Sequence, residues 1–218
     1  MKIKIILVLG IAILANASCN KGSDFNYPAG TVGISKIIYF PSVSIIGAHL
    51  TIIPQGSAYT DPGVNSTLNG ATVTPTITGA VDPTTPGVYV INYSASNPQG
   101  YSASDWRTVV VIGPDVAAND FSGTYLRAAT GVTSTWTKDS TGVYTVENPG
   151  GASVGAGETV IAVNYTGSMI SIPQQISPDF GEVSSSSETY SATASPVTYS
   201  WIFHAGGYGT GLRTFTKQ

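Results

Sequence analysis

The 218-residue sequence predicts an all-β protein built in two strand-rich halves. Three observations carry that reading. Short segments rich in Val, Ile, Thr and Tyr recur along the chain, separated by Gly, Pro, Asn and Asp. Residues 87–96, Gly-Val-Tyr-Val-Ile-Asn-Tyr-Ser-Ala-Ser, alternate in the way a half-buried strand does. No long segment after residue 18 shows the apolar spacing of a helix. Many short strands with turns between them point to sandwiches or small barrels.

Taken in order, the chain begins with Lys2 and Lys4 ahead of an uncharged apolar run at 5–15, Ile-Ile-Leu-Val-Leu-Gly-Ile-Ala-Ile-Leu-Ala. This is the positive and apolar part of an export signal, expected to span 1–18. It is shorter than the ~20 residues a membrane span needs. Two cleavage points compete here. Ala15-Asn16-Ala17 is a small-x-small site that would leave Ser18-Cys19 as the new start, whereas a cut before Cys19 would free that thiol to carry a lipid. Residues 19–34, punctuated by Gly and Pro and without periodicity, read as a flexible tether.

The first β half is expected over 35–113. In the strand at 87–96, Tyr89, Ile91, Tyr93 and Ala95 fall on one face and Asn92, Ser94 and Ser96 on the other. Asn97-Pro98-Gln99-Gly100 supplies a turn, and residues 101–112 return as the second arm of a hairpin, ending Val109-Val110-Val111-Ile112. Residues 114–119 read as a linker and 120–218 as a second all-β domain, a barrel or a sandwich. Its strands are expected at 124–128, 133–138, 143–147, 159–165, 169–172, 188–192, 197–204 and 210–216.

Composition excludes several functions. Removing Lys2 and Lys4 with the signal leaves seven basic and twelve acidic residues, a net charge near −5. Nucleic-acid binding calls for a basic patch, so it is not expected. One cysteine makes no internal disulfide, and two histidines, His49 and His204, do not make a zinc pattern. No metal and no cofactor is expected.

Four stretches together carry a resemblance: Ser35-Lys36-Ile37-Ile38-Tyr39-Phe40-Pro41, Ala58-Tyr59-Thr60-Asp61-Pro62-Gly63, Thr85-Pro86-Gly87-Val88-Tyr89-Val90-Ile91-Asn92-Tyr93 and Arg107-Thr108-Val109-Val110-Val111. Residues 35–112 resemble the immunoglobulin-like domain of unknown function found in surface lipoproteins of Bacteroides-type bacteria. The C-terminal half looks like the small all-β unit, also of unknown function, that follows this module in such lipoproteins. The resemblance implies an immunoglobulin-like β-sandwich, outer-membrane attachment through a lipid on Cys19, and a place in glycan uptake. It brings no catalytic residues.

The candidate sites follow from residue type. Asp61 and Asp82, each before a proline, suit turns. Trp201 alternates with Tyr199 and Phe203 and is expected in a core. Trp136, with Ser134 and Lys138 on its face, is expected to be an exposed ring, and Tyr208, inside Ala205-Gly206-Gly207-Tyr208-Gly209-Thr210-Gly211, a loop ring. Exposed aromatic faces stack on sugars, so Trp136 and Tyr208 are the expected ligand contacts. The glycine-rich stretches at 150–157 and 205–211 lack the features of a phosphate loop. Glu147, Glu158, Glu182 and Glu188 read as surface acids rather than a glycosidase pair. The expected function is a non-catalytic, surface-exposed binding module for carbohydrate, attached to the outer membrane by an N-terminal lipid. The alternative is a structural spacer or an assembly module that contacts other surface proteins.

Overall fold

The chain is described here as a computed structural model over residues 28–32, 35–154, 156–191 and 194–218. The expected export signal, Cys19 and the first part of the tether lie outside the described residues. The described residues up to Tyr39 form one unit and those from Phe40 another. Within the first, β1 (Thr31–Val32) pairs antiparallel with β2 (Ser35–Lys36).

The second unit opens with seven strands in two sheets. They are β3 (Pro41–Ile45), β4 (Leu50–Pro54), β5 (Val64–Leu68), β6 (Ala71–Thr72), β7 (Thr76–Thr78), β8 (Gly87–Ser96) and β9 (Ser102–Ile112). One sheet has the order β3-β5-β6 and the other β4-β9-β8-β7, with β4 parallel to β9. This is the immunoglobulin-like sandwich. The alternation of β8 places Ile91, Tyr93 and Ala95 in its core, and β9 adds Val109 and Val111.

β9 carries a second role. Its last six residues, 107–112, are all buried, so both faces of the strand are covered. Val110 and Ile112, on the face opposite the sandwich core, cluster with Val116 and Val163 from the C-terminal half. Leu50, Ile52 and Val88 extend this face on the sandwich side, and Val143, Ile161 and Tyr165 extend it on the other. Each buried apolar side chain here contributes about 1.5–3 kcal/mol of transfer free energy.

Between the halves, Pro114–Val116 form a 3-10 turn rather than a loose stretch. Gly113 N–H donates to the Tyr165 carbonyl at 2.8 Å. The Asp115 carboxylate accepts from Gly167 N–H at 2.7 Å and from Thr166 Oγ1 at 3.0 Å, and these bonds hold its pKa below the usual value.

The C-terminal half is one nine-stranded antiparallel sheet. Its strands are β10 (Gly123–Arg127), β11 (Val132–Ser140), β12 (Val143–Glu147), β13 (Thr159–Thr166), β14 (Met169–Ser171), β15 (Gln175–Ser177), β16 (Gly181–Ser191), β17 (Thr198–His204) and β18 (Arg213–Lys217). The order is β14-β13-β12-β11-β10-β18-β17-β16-β15. The sheet curls until the end of β14 meets β16. Ile172 N–H donates to Ser185 Oγ at 2.7 Å, and Ser185 N–H to the Ile172 carbonyl at 2.9 Å. Of the two forms open in the sequence, the half-barrel is the one adopted. Its interior is aromatic: Phe121, Tyr125, Trp136, Tyr144, Tyr199, Trp201, Phe203 and Phe215 are all buried.

Candidate functional site

Three places gather chemistry: a polar knot in the sandwich, one end of the half-barrel, and the seam between the two.

The knot is built on Arg107, which the strand parity of β9 turns inward beside Val109. It is 1% exposed. Its Nη1 donates to the Ala48 carbonyl at 2.8 Å, and its Nη2 to the carbonyls of Ile46 at 2.8 Å and Gly63 at 3.3 Å. Nε lies 3.2 Å from Asp61 Oδ1. Asp61 also accepts from the Tyr93 hydroxyl at 2.5 Å and from Gly63 N–H at 3.1 Å. Desolvation, then the bond to Asp61, pushes the Tyr93 phenol up to about 12. Asp61 is thus committed to a guanidinium, a phenol and a backbone N–H. The Tyr-Thr-Asp-Pro-Gly turn and the arginine, far apart in sequence, form one clamp. Asp82 is a turn residue whose oxygens accept from Thr84 N–H, Thr84 Oγ1 and Thr85 Oγ1. Among the described residues, no group of three or more His, Cys, Asp or Glu is placed to hold a metal.

Trp136 differs from the sequence expectation. The ring is 2% exposed and stacks on Trp201 at 5.5 Å and 22°, so it offers no face to a ligand. Its neighbours misled: Ser134 is also fully buried and donates to the Glu147 carbonyl at 3.0 Å, while Lys138 reaches the Asn119 carbonyl at 2.6 Å. A small residue and a long cation with its head bonded to backbone both fit an inward face. Trp201 is buried as its strand face required, with Nε1–H donating to the Pro149 carbonyl at 2.8 Å. Trp106 packs against His49 with ring centroids 4.6 Å apart.

Tyr208 lies partly buried over one end of the half-barrel. Its ring meets Phe203 at 5.2 Å and Phe180 at 5.5 Å, both edge-on, and the Arg213 guanidinium at 5.3 Å. Its hydroxyl donates to the Val154 carbonyl at 2.9 Å, tying the 205–211 loop to the 150–157 loop. A side chain at Gly150 would collide with this ring, which is why glycine stands there. Within electrostatic reach of Tyr208 is Glu158, 1% exposed. One carboxyl oxygen accepts from Ser177 Oγ at 3.1 Å and the other is buried without a partner. Burial pushes this carboxyl up to about 7.

The four glutamates read as surface acids divide. Glu147 and Glu182 are exposed, Glu188 accepts from Ser171 and Ser185, and Glu158 is buried. Solitary burial of a carboxyl leaves no sequence signal when the residue flanks a glycine-rich loop. His204 Nε2 pairs with Ser186 Oγ at 2.7 Å.

The seam holds a groove of about 860 Å³. Ile52, Ile53, Pro54, Ile112, Pro114 and Val143 wall it, and Gln55, Ser140 and Thr141 supply polar groups. No aromatic ring lines it.

Residues 43–111 match the family described as bacterial surface protein, Ig-like domain. A crystal structure of a lipoprotein from Bacteroides thetaiotaomicron is similar at 21% identity, over 82% of this chain and 100% of that one, with a TM-score of 0.37. No curated protein matches the chain.

Proposed function

We propose that this protein is a non-catalytic module of the bacterial outer surface, lipid-anchored through Cys19. In it the immunoglobulin-like sandwich is a stalk and the half-barrel is the part displayed. One observation carries the reading: the chain enters the sandwich at one pole and the half-barrel is fastened to the other. Phe40 contacts Tyr101 just before β9 begins, and Ile112, where β9 ends, is packed into the seam. Eleven strand residues separate the poles, a height of about 35 Å. The interior of the half-barrel is filled with rings, so a ligand would meet its outside or the seam.

The aliphatic seam groove suits contact with another protein better than with a sugar, because no ring face is present for stacking. Carbohydrate binding is the second reading, supported by Tyr208 with Glu158 and Arg213 close by at the barrel end. A pull-down with cross-linking from intact cells, beside a glycan array read with wild type and Tyr208→Ala, separates them. Seam-dependent capture of a surface protein, lost in an Ile53→Asp variant, supports the assembly role. Glycan binding abolished by Tyr208→Ala favours the second reading. An epitope after Gln218 that antibodies reach on intact cells, and that is shed into the medium by Cys19→Ala, tests the display itself.

A further inference from the structure

The pole of the sandwich far from the half-barrel has a composition of its own. Phe40 is 63% exposed and Tyr101 48%, with their rings 5.1 Å apart. The backbone around this pair comes from the start of β3, the β5–β6 turn and the β8–β9 turn, since Pro41 pairs with Leu68 and Ser96 with Ser102. Stretches 40–44, 64–81 and 94–104 contain no charged residue of either sign. Their polar groups are hydroxyls and amides, such as Asn69, Asn97 and Gln99. In a chain with a net charge of −3, the absence of carboxylates across one whole pole sets that surface apart.

We propose that this pole rests on the lipid surface, with Phe40 and Tyr101 seated at headgroup level. The proposal builds on the lipid anchor of Cys19 argued above. Twenty residues lie between Cys19 and Phe40. Phe40 stands just before β3, where the chain enters the sandwich, so this pole is the part of the sandwich tied most closely along the chain to the anchored lipid. Aromatic rings with one apolar face and one wet edge collect at the membrane–water interface. A pole without carboxylates avoids repulsion from anionic lipids, whereas the acidic residues of this chain lie elsewhere.

The test uses the full lipidated chain reconstituted in phosphatidylethanolamine–phosphatidylglycerol vesicles. Phe40→Trp and Tyr101→Trp report at the pole, and Val154→Trp, at a position 77% exposed on the half-barrel, is the control. Lipids brominated near the headgroup should quench the added emission of both pole variants by about twofold and leave the control unchanged. Flotation of the same samples checks the anchor separately. Vesicle flotation with pole variants quenched no more than the control overturns the pole proposal and leaves the anchor standing. Failure to float overturns the anchor and the pole proposal with it.

Discussion

In the sandwich, the largest fully buried side chains are Arg107 and Tyr93, knotted through Asp61 to three carbonyls. In the half-barrel they are Trp201, Tyr125, Tyr144, Tyr199, Phe203 and Phe215, packed ring on ring. The two halves therefore hold one chain conformation by different means. The sandwich has short, exposed outer strands, β6 and β7, and a directional polar clamp fixes its loops. The curled sheet encloses its own interior and fills it with area. A clamp fails when one partner is removed, and a ring core fails when volume is removed.

The largest effect is expected from volume. Trp201→Ala removes the partner of Trp136 and the bond to Pro149, and should cost about 3–5 kcal/mol in denaturant unfolding, with loss of the near-ultraviolet aromatic signal. Next comes the clamp. Arg107→Ala leaves Asp61 without its counter-ion and the carbonyls of Ile46 and Ala48 without their donor, at a cost of about 3 kcal/mol. In an Asp61→Asn background the same substitution should cost less, because no half-buried carboxylate is left without its counter-ion. An unchanged cost would break the picture of a coupled clamp.

At the seam, Ile112→Ala should cost about 2 kcal/mol and separate one unfolding transition into two, since Ile112 belongs to the cluster that joins the halves. The smallest effect is a slope. Burial favours the neutral form of Glu158, so between its ordinary pKa and about 7 the folded chain holds a proton that the unfolded chain releases. Stability should fall as pH rises through that window and level off above it. Glu158→Gln should flatten this part of the curve, and an unaltered curve would assign the slope to another group.

Strand periodicity made much of this legible. The face assignment of β8 put Ile91, Tyr93 and Ala95 inside, and the stripe Tyr199, Trp201, Phe203 marked a core strand. Both rest on period two with a clear contrast between faces. Trp136 had no such contrast, because its inward neighbours are a buried serine and a lysine whose head is bonded to backbone. The seam was hidden for another reason. In Val109-Val110-Val111-Ile112 both faces are apolar, which reads as a buried strand without saying that one face belongs to a different sheet. The unpartnered oxygen of Glu158 and the clamp through Arg107 depend on loops brought together from distant parts of the chain, and no local pattern encodes them.

The central claim is that the sandwich and the half-barrel move as one body. Spin labels at Gln99→Cys, in the turn of the far pole, and at Thr137→Cys, on an exposed face of β11, report it directly in a Cys19→Ala background. Double electron–electron resonance should give one narrow distance distribution that broadens when Ile112→Ala is added. A broad distribution already present without that substitution would contradict a rigid stalk.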